Sequence, residues 1–194
     1  MSLYSTVYLA GRRSLLPAVI VALATASALA AEAQKAQPTA TLPAPKQLGS
    51  FDSWTPVELA QSSGKICYMF ARPSASEPKG AKRGDIMIVV THRPAAKRQD
   101  EVSYQSGYPF KEGAPVAVDI DGKKFQFFTR ADIDAESAWA TDASVDKAVI
   151  AGMKTGKAVK VRGTSARSTD TTDTFNLAGF AKAYAEIGKA CGVK

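Results

Sequence analysis

From residue 51 onward, apolar and polar residues alternate at the spacing of β-strands, and the pattern changes to helical spacing in two places. Residues 65–71 (KICYMFA) are rich in strand formers and stop before Pro73. Residues 85–92 (DIMIVVTH) are a continuous apolar run of strand length, ended by Arg93-Pro94, which predicts a strand buried on both faces. Residues 101–106 (EVSYQS) alternate and lead into Gly107. Residues 116–120 and 123–129 flank Asp121-Gly122, a pair suited to a turn in which both central residues take positive φ, so a type I′ hairpin is expected. On its second strand Phe125 and Phe127 are expected inside, with Lys124, Gln126 and Phe128 opposite. Residues 157–163 (KAVKVRG) place Val159 and Val161 inward and Lys160 and Arg162 outward, and residues 172–177 (TDTFNL) give a last strand.

The helical segments are residues 144–153 and 180–191. In the first, Ser144 is the expected cap, Asp146 lies in the first turn, and Val145, Val149, Ile150 and Met153 follow helical spacing. Gly156 is expected to supply a left-handed turn after it. In the second, Phe180, Ala183, Tyr184 and Ile187 share a face, and Cys191 follows Ile187 by one turn. Residues 131–136 read as an acidic loop, with Trp139 packing on the core edge. About eight or nine short strands with two short helices predict a mainly β domain over 48–194, an antiparallel sandwich with the second helix at the C-terminus. A partly closed barrel is the alternative.

The N-terminal stretch departs from this pattern. Arg12 and Arg13 precede an uncharged apolar run over 15–29, and Ala28-Leu29-Ala30 is a small-x-small cleavage site. Residues 1–30 are therefore expected to be a signal peptide, cut after Ala30 or, alternatively, after Ala33. Arg12-Arg13-Ser14-Leu15-Leu16 also has some twin-arginine character, beside the ordinary Sec reading; no lipobox is present. Residues 31–47, with Pro38, Pro43 and Pro45, read as a flexible Pro/Ala-rich lead-in. The expectation is an exported protein, in the periplasm or at the outer membrane or cell surface, with no transmembrane segment in its mature form.

The formal charge is +7; all 18 acidic residues lie after residue 30 and two of the 25 basic ones before it, leaving +5 for the mature chain. That sign favours anionic surfaces such as lipopolysaccharide, anionic lipid or glycans. The charges are spread out, and export argues against nucleic acid as a partner. Cys67 and Cys191 allow one intramolecular pairing. Under oxidising conditions a Cys67–Cys191 disulfide is expected, with two free thiols as the alternative.

Candidate chemistry is sparse. His92 is the only histidine. A hydrolase would pair it with Ser165 and with Asp170 or Asp173, but no Gly-x-Ser-x-Gly elbow exists, and no catalytic residue is assigned. Asp132, Asp134 and Glu136 are spaced like the start of a calcium loop, yet Ser137 and Ala143 stand where glycine and glutamate are needed, so no metal and no cofactor are expected. The segment 163–173 places Ser165, Arg167, Thr169, Asp170 and Asp173 between two strands as candidate ligand contacts. An internally hydrogen-bonded turn is the competing account. Tyr108-Pro109-Phe110 is either an exposed aromatic contact or a core plug, and Lys124, Lys160 and Arg162 are a candidate basic patch.

Several blocks together resemble a known family. They are Thr91-His92-Arg93-Pro94, Gly107-Tyr108-Pro109-Phe110-Lys111-Glu112-Gly113, Gly163-Thr164-Ser165-Ala166-Arg167 and Thr171-Thr172-Asp173-Thr174-Phe175, followed by Leu177, Gly179-Phe180 and Cys191. Over about residues 51–191 the chain resembles the invasion-associated locus B family of alphaproteobacteria. The resemblance implies an exported envelope protein with an immunoglobulin-like β-sandwich. In pathogenic relatives the family is linked to entry into host cells, including erythrocytes, and it brings no established catalytic residues. The function expected is therefore non-enzymatic binding of an envelope or host-surface component, anionic or glycan in nature, with an envelope hydrolase using His92, or a purely structural subunit of an envelope complex, as the alternatives.

Overall fold

The computed structural model of the chain describes residues 43–193. In chain order the elements are β1 (Lys46–Gln47), β2 (Trp54–Gln61), β3 (Gly64–Ala71), β4 (Ala75–Glu77), β5 (Met87–Arg93), β6 (Arg98–Gln105), β7 (Val116–Ile120), β8 (Lys123–Arg130), β9 (Asp134–Ala140), α1 (Ala143–Thr155), β10 (Ala158–Thr164), β11 (Asp170–Asn176) and α2 (Phe180–Cys191), with one 3-10 turn at Pro94–Ala96. The strands form one ladder in the order β1-β2-β3-β5-β6-β9-β8-β7-β10-β11-β4. All its pairings are antiparallel.

The ladder folds back on itself. In a flat sheet, β6 and β11 would lie about 24 Å apart at normal strand spacing. Yet Tyr104 of β6 and Phe175 of β11 meet edge to face, centroids 6.2 Å apart. Trp54 of β2 also donates its indole N–H to the Asn176 carbonyl at 3.1 Å. The two halves are stitched together where β6 meets β9, through Ser103, Tyr104 and Gln105 against Trp139, Ala138 and Ser137. The domain is thus mainly antiparallel β, with two layers made from a single ladder rather than from two separately bonded sheets. Between the layers lie Trp54, Met69, Ile88, Val90, Tyr104, Phe127, Val161 and Phe175, all buried. Each such apolar side chain contributes roughly 1.5–3 kcal/mol.

The helices close the core. Phe180 of α2 meets Trp54 edge to face at 4.9 Å, and Cys191 at the end of α2 is disulfide-bonded to Cys67 on β3, with Cα atoms 5.9 Å apart. Val149, Ile150 and Met153 form the buried face of α1. The Asp121-Gly122 hairpin is present, with φ of 48° and 95°, and Phe127 is buried while Lys124, Gln126 and Phe128 face out.

Several sequence expectations are corrected. The lead-in ends before residue 46, because Lys46 and Gln47 pair with Glu58 and Val57. Residues 131–136 are not all loop: Asp134 and Glu136 begin β9, which runs between β6 and β8. On β5, Ile88 and Val90 are buried but Met87 and Val89 only half-buried, so one face is incompletely covered. Asp142, not Ser144, caps α1, accepting from the backbone N–H groups of Ser144 and Val145. Gly156 is extended, not left-handed. Its lack of a side chain serves close packing instead, since a Cβ there would meet Gly152 O at 2.9 Å and Ile120 and Leu177 at 3.0 Å. The expected signal peptide and most of the lead-in lie outside the described residues.

Candidate functional site

Three of the sequence blocks that carry the family resemblance meet at one end of the sandwich, around Arg83. The segment bearing Arg83 is clamped by two glycines: Gly84 N–H donates to Gly107 O at 2.8 Å. Gly107 has φ +71°, and a Cβ on it would stand 2.6 Å from Gly84 O, so only glycine permits the approach. This turns the Arg83 side chain inward until 6% of it meets solvent. Its Nη1 and Nη2 donate to the two Asp173 carboxylate oxygens at 2.9 and 2.6 Å, and its Nε and Nη2 donate to the Ser106 carbonyl at 2.9 and 2.6 Å. The Tyr104 hydroxyl also donates to Asp173. Burial alone would lower the Arg83 pKa, but the bond to the Asp173 carboxylate holds it raised. Burial and the same carboxylate push the Tyr104 phenol well up, so it stays a donor.

Arg83 supports an open cleft. Its guanidinium lies 4.8 Å from the centre of the Tyr108 ring, and the Tyr108 hydroxyl is 2.6 Å from Thr171 Oγ1. Gly163 makes room for this arrangement, because a Cβ there would strike the Phe110 ring at 2.8 Å and the Tyr108 hydroxyl at 3.0 Å. In front of Tyr108 is a cavity of about 400 Å³ lined by Lys82, Arg83, Tyr108, Pro109, Ser165, Arg167, Thr169 and Thr171, among others. Hydroxyls and cations line it, and no carboxylate does.

The β10–β11 turn forms one wall. Ser168 N–H donates to Ser165 O at 2.8 Å and Ser165 N–H to Thr169 O at 2.9 Å, while Ala166 N–H reaches Pro109 O at 2.8 Å. Ser168 takes φ 60°, the left-handed residue that follows a type I turn in such hairpins. The loop is therefore internally bonded and still turns side chains to the cleft. Ser165, Arg167 and Thr169 line it, and the exposed Arg167 makes no side-chain hydrogen bond or ion pair among the described residues. Asp170 instead accepts from the Thr164 hydroxyl at 2.7 Å. Asp173 is a correction. It is fully buried, and Arg83 and Tyr104 occupy its carboxylate, so it holds the site together and does not face a ligand. Tyr108-Pro109-Phe110 combines both expected roles: Phe110 is buried in the core, while half-buried Tyr108 and exposed Pro109 face the cleft.

The other sequence candidates lie elsewhere. Lys124 and Lys160 share an outer face with Asp119, which pairs with both across the ladder, and Arg162 follows two residues along β10. Asp119 between two lysines weakens this patch as an anion site. His92 is fully buried on β5. Its Nδ1 accepts from Asp100 N–H at 3.1 Å, and its ring meets Tyr184 edge to face at 5.5 Å. Burial lowers its pKa, Asp100 opposes that and Lys154 adds to it. Its hydrogen-bond partner is Asp100, not Ser165, Asp170 or Asp173, so the geometry of a hydrolytic triad is not assembled. Asp132 is paired with Arg130 at 2.6 Å, and Asp134 accepts from Glu136 N–H and the Ser137 hydroxyl. Among the described residues no group of three or more His, Cys, Asp or Glu is placed to hold a metal ion.

These features define a disulfide-latched β-sandwich domain that presents a cationic, hydroxyl-lined cleft between its loops. The chain belongs to the invasion associated locus B (IalB) protein family, whose sequence profile matches residues 54–188. It is similar to the crystal structure of invasion associated protein b from Bartonella henselae, at 15% sequence identity and a TM-score of 0.52, over 76% of this chain and 98% of that one. That likeness supports the fold. No curated protein matches the chain.

Proposed function

We propose that this protein works by binding rather than catalysis, and that the cleft in front of Tyr108 takes an anionic, saccharide-bearing component of the envelope or of a host surface. The observation that carries the reading is the cleft's lining: Tyr108 offers an aromatic face, Ser165 and Thr169 offer hydroxyls, Lys82 and Arg167 offer positive charge, and no carboxylate lines the cleft. Sugar rings stack on aromatic faces, and their hydroxyls and acidic groups match these donors. Bidentate contact is the particular strength of arginine, so Arg167 is assigned the anionic group. The reading includes export from the cytoplasm, for which the apolar run and cleavage site at residues 15–30 are the support. Among the described residues no helix is long and apolar enough to cross a membrane.

Retention of the protein on immobilised lipopolysaccharide and on uronic- or sialic-acid glycans at low salt tests this. Wild type is expected to bind at least one of them, and Arg167→Ala to weaken that binding about tenfold or more, the loss of one charge-assisted hydrogen bond. Absence of retention, or retention indifferent to Arg167→Ala, overturns the assignment.

A further inference from the structure

The layer formed by β2, β3, β5 and β6 has two apolar faces. Trp54, Met69, Ile88 and Val90 turn to the core, so the residues that alternate with them point away from it. On that outer face Tyr68 stands between Val57 and Thr91 in the ladder, and Phe70 between Thr55 and Val89. The two rings stack on each other, centroids 6.4 Å apart. Leu59, Ile66 and Met87 continue the patch, and like Tyr68, Phe70 and Val89 they are half-buried. Charge is confined to the two ends of the face. At one end Arg72 bonds Asp85 at 2.8 Å, and at the other Arg93 and Arg98 share Glu101. Between these ends no described residue of the face is charged.

We infer that two copies of this chain pack sheet to sheet through this face. Aromatic residues and methionine at the centre, with arginine and acid at the margin, are the anatomy of a protein interface. The charge pattern selects a second copy as the occupant. The centre is neutral, so it offers nothing to a strongly charged partner. Each end carries both signs, so a twofold-related copy brings opposite charges together at the margin. The size is sufficient for a weak pair. β2 and β3 are eight residues long, and four strands at normal spacing give a face of roughly 20 by 27 Å. A pair then buries about 1,000 Å², near the lower limit for a specific interface. The chain's own lead-in is a poor cover, because residues 31–42 (AEAQKAQPTATL) contain one large apolar residue, Leu42, and no aromatic. This inference does not depend on the cleft at Tyr108.

Light-scattering mass across concentration tests it, using the expected mature form, residues 31–194. A dimer is expected to appear between about 1 μM and 1 mM. Met87 reports the same contact in the unaltered protein. The mature form carries Met69, Met87 and Met153, and the first and last of these are buried. Peroxide therefore reads Met87, and its oxidation is expected to slow severalfold as the dimer forms. Tyr68→Glu sets two like charges into the contact and is expected to weaken dimerisation about tenfold or more. Gln126→Glu, the same charge change at an exposed position of β8, is expected to dimerise as wild type does. If Tyr68→Glu does not fold, the mass and Met87 readings of the wild type still decide. The inference is overturned by a monomer at every concentration, by a dimer indifferent to a folded Tyr68→Glu, or by a dimer that leaves Met87 oxidation unchanged. It is equally overturned if Met87 is slow to oxidise at every concentration in residues 31–194 and fast in the compact unit Ala40–Lys194; the lead-in then covers the face.

Discussion

Arg83 and Asp173 hold opposite charges where almost no water reaches them, and each is saturated by the other and by Tyr104 and Ser106. Removing one partner leaves an uncompensated buried charge. Arg83→Ala is therefore expected to destabilise the domain by about 3–5 kcal/mol in urea denaturation, and the paired change Arg83→Met with Asp173→Leu to cost much less. If the single and double variants unfold at the same urea concentration, the pair does not act as described. Arg83 was not legible in the sequence. It lies in the run Lys79-Gly80-Ala81-Lys82-Arg83-Gly84-Asp85, which has the composition of a solvated surface stretch. Only the Gly84–Gly107 contact, between segments 23 residues apart, turns it inward. The buried role of Asp173 is hidden in the sequence for the same reason, since its partner Arg83 arrives from a distant part of the chain. Ser165, Arg167 and Thr169 were legible because a hairpin loop is a local feature, and local chemistry predicts which side chains it must display.

At the scale of elements, the N-terminal half of β6 is held by side chains on both edges, at the register shift facing β5 and along the edge that β9 leaves open. On one side His92 Nδ1 accepts from Asp100 N–H at 3.1 Å; Asp146 of α1 accepts from Val102 N–H at 2.8 Å. Both acceptors titrate. Burial lowers the His92 pKa below its ordinary 6.5, so its contribution to stability is present above pH 6.5 and is lost as pH falls through the folded value. Burial raises Asp146 to about 6 from 3.8, with Glu101, Asp100 and Asp142 adding to the rise. Its contribution is full below pH 3.8 and is lost as pH rises through about 6. The two effects oppose each other in mild acid. Asp146→Asn keeps the carbonyl acceptor and abolishes the titration. It is expected to be more stable than wild type at pH 7 by an amount that shrinks to nothing near pH 4, measured as the difference in urea midpoint across pH. A constant difference would show that Asp146 does not titrate in this range. Most elements were legible from alternation, and α2 was located to the residue because its apolar spacing is strict. β9 was not, because Asp-Ala-Glu-Ser lacks strand formers and becomes a strand through pairing with β6 and β8 on either side.

At the scale of the molecule, the layered β architecture followed from many short alternating runs, whereas the route of the single ladder did not. Where a sheet turns over depends on a three-residue pairing between β6 and β9, which leaves no mark in local periodicity. The Cys67–Cys191 bridge spans 124 residues and joins β3 to the end of α2. Reduction, or Cys67→Ser, is expected to cost roughly 2–5 kcal/mol, seen as a lower melting temperature; an unchanged melting temperature would mean that the bond constrains nothing the fold does not already hold. The span of that bond also sets an order of events. An early strand waits for a partner that is synthesised more than a hundred residues later, so any species in which the bond has closed correctly has already received nearly the whole domain. A molecule lacking its last helix has no partner for Cys67 and keeps an open thiol there, so closure of the bond marks a chain that carries both ends of the domain.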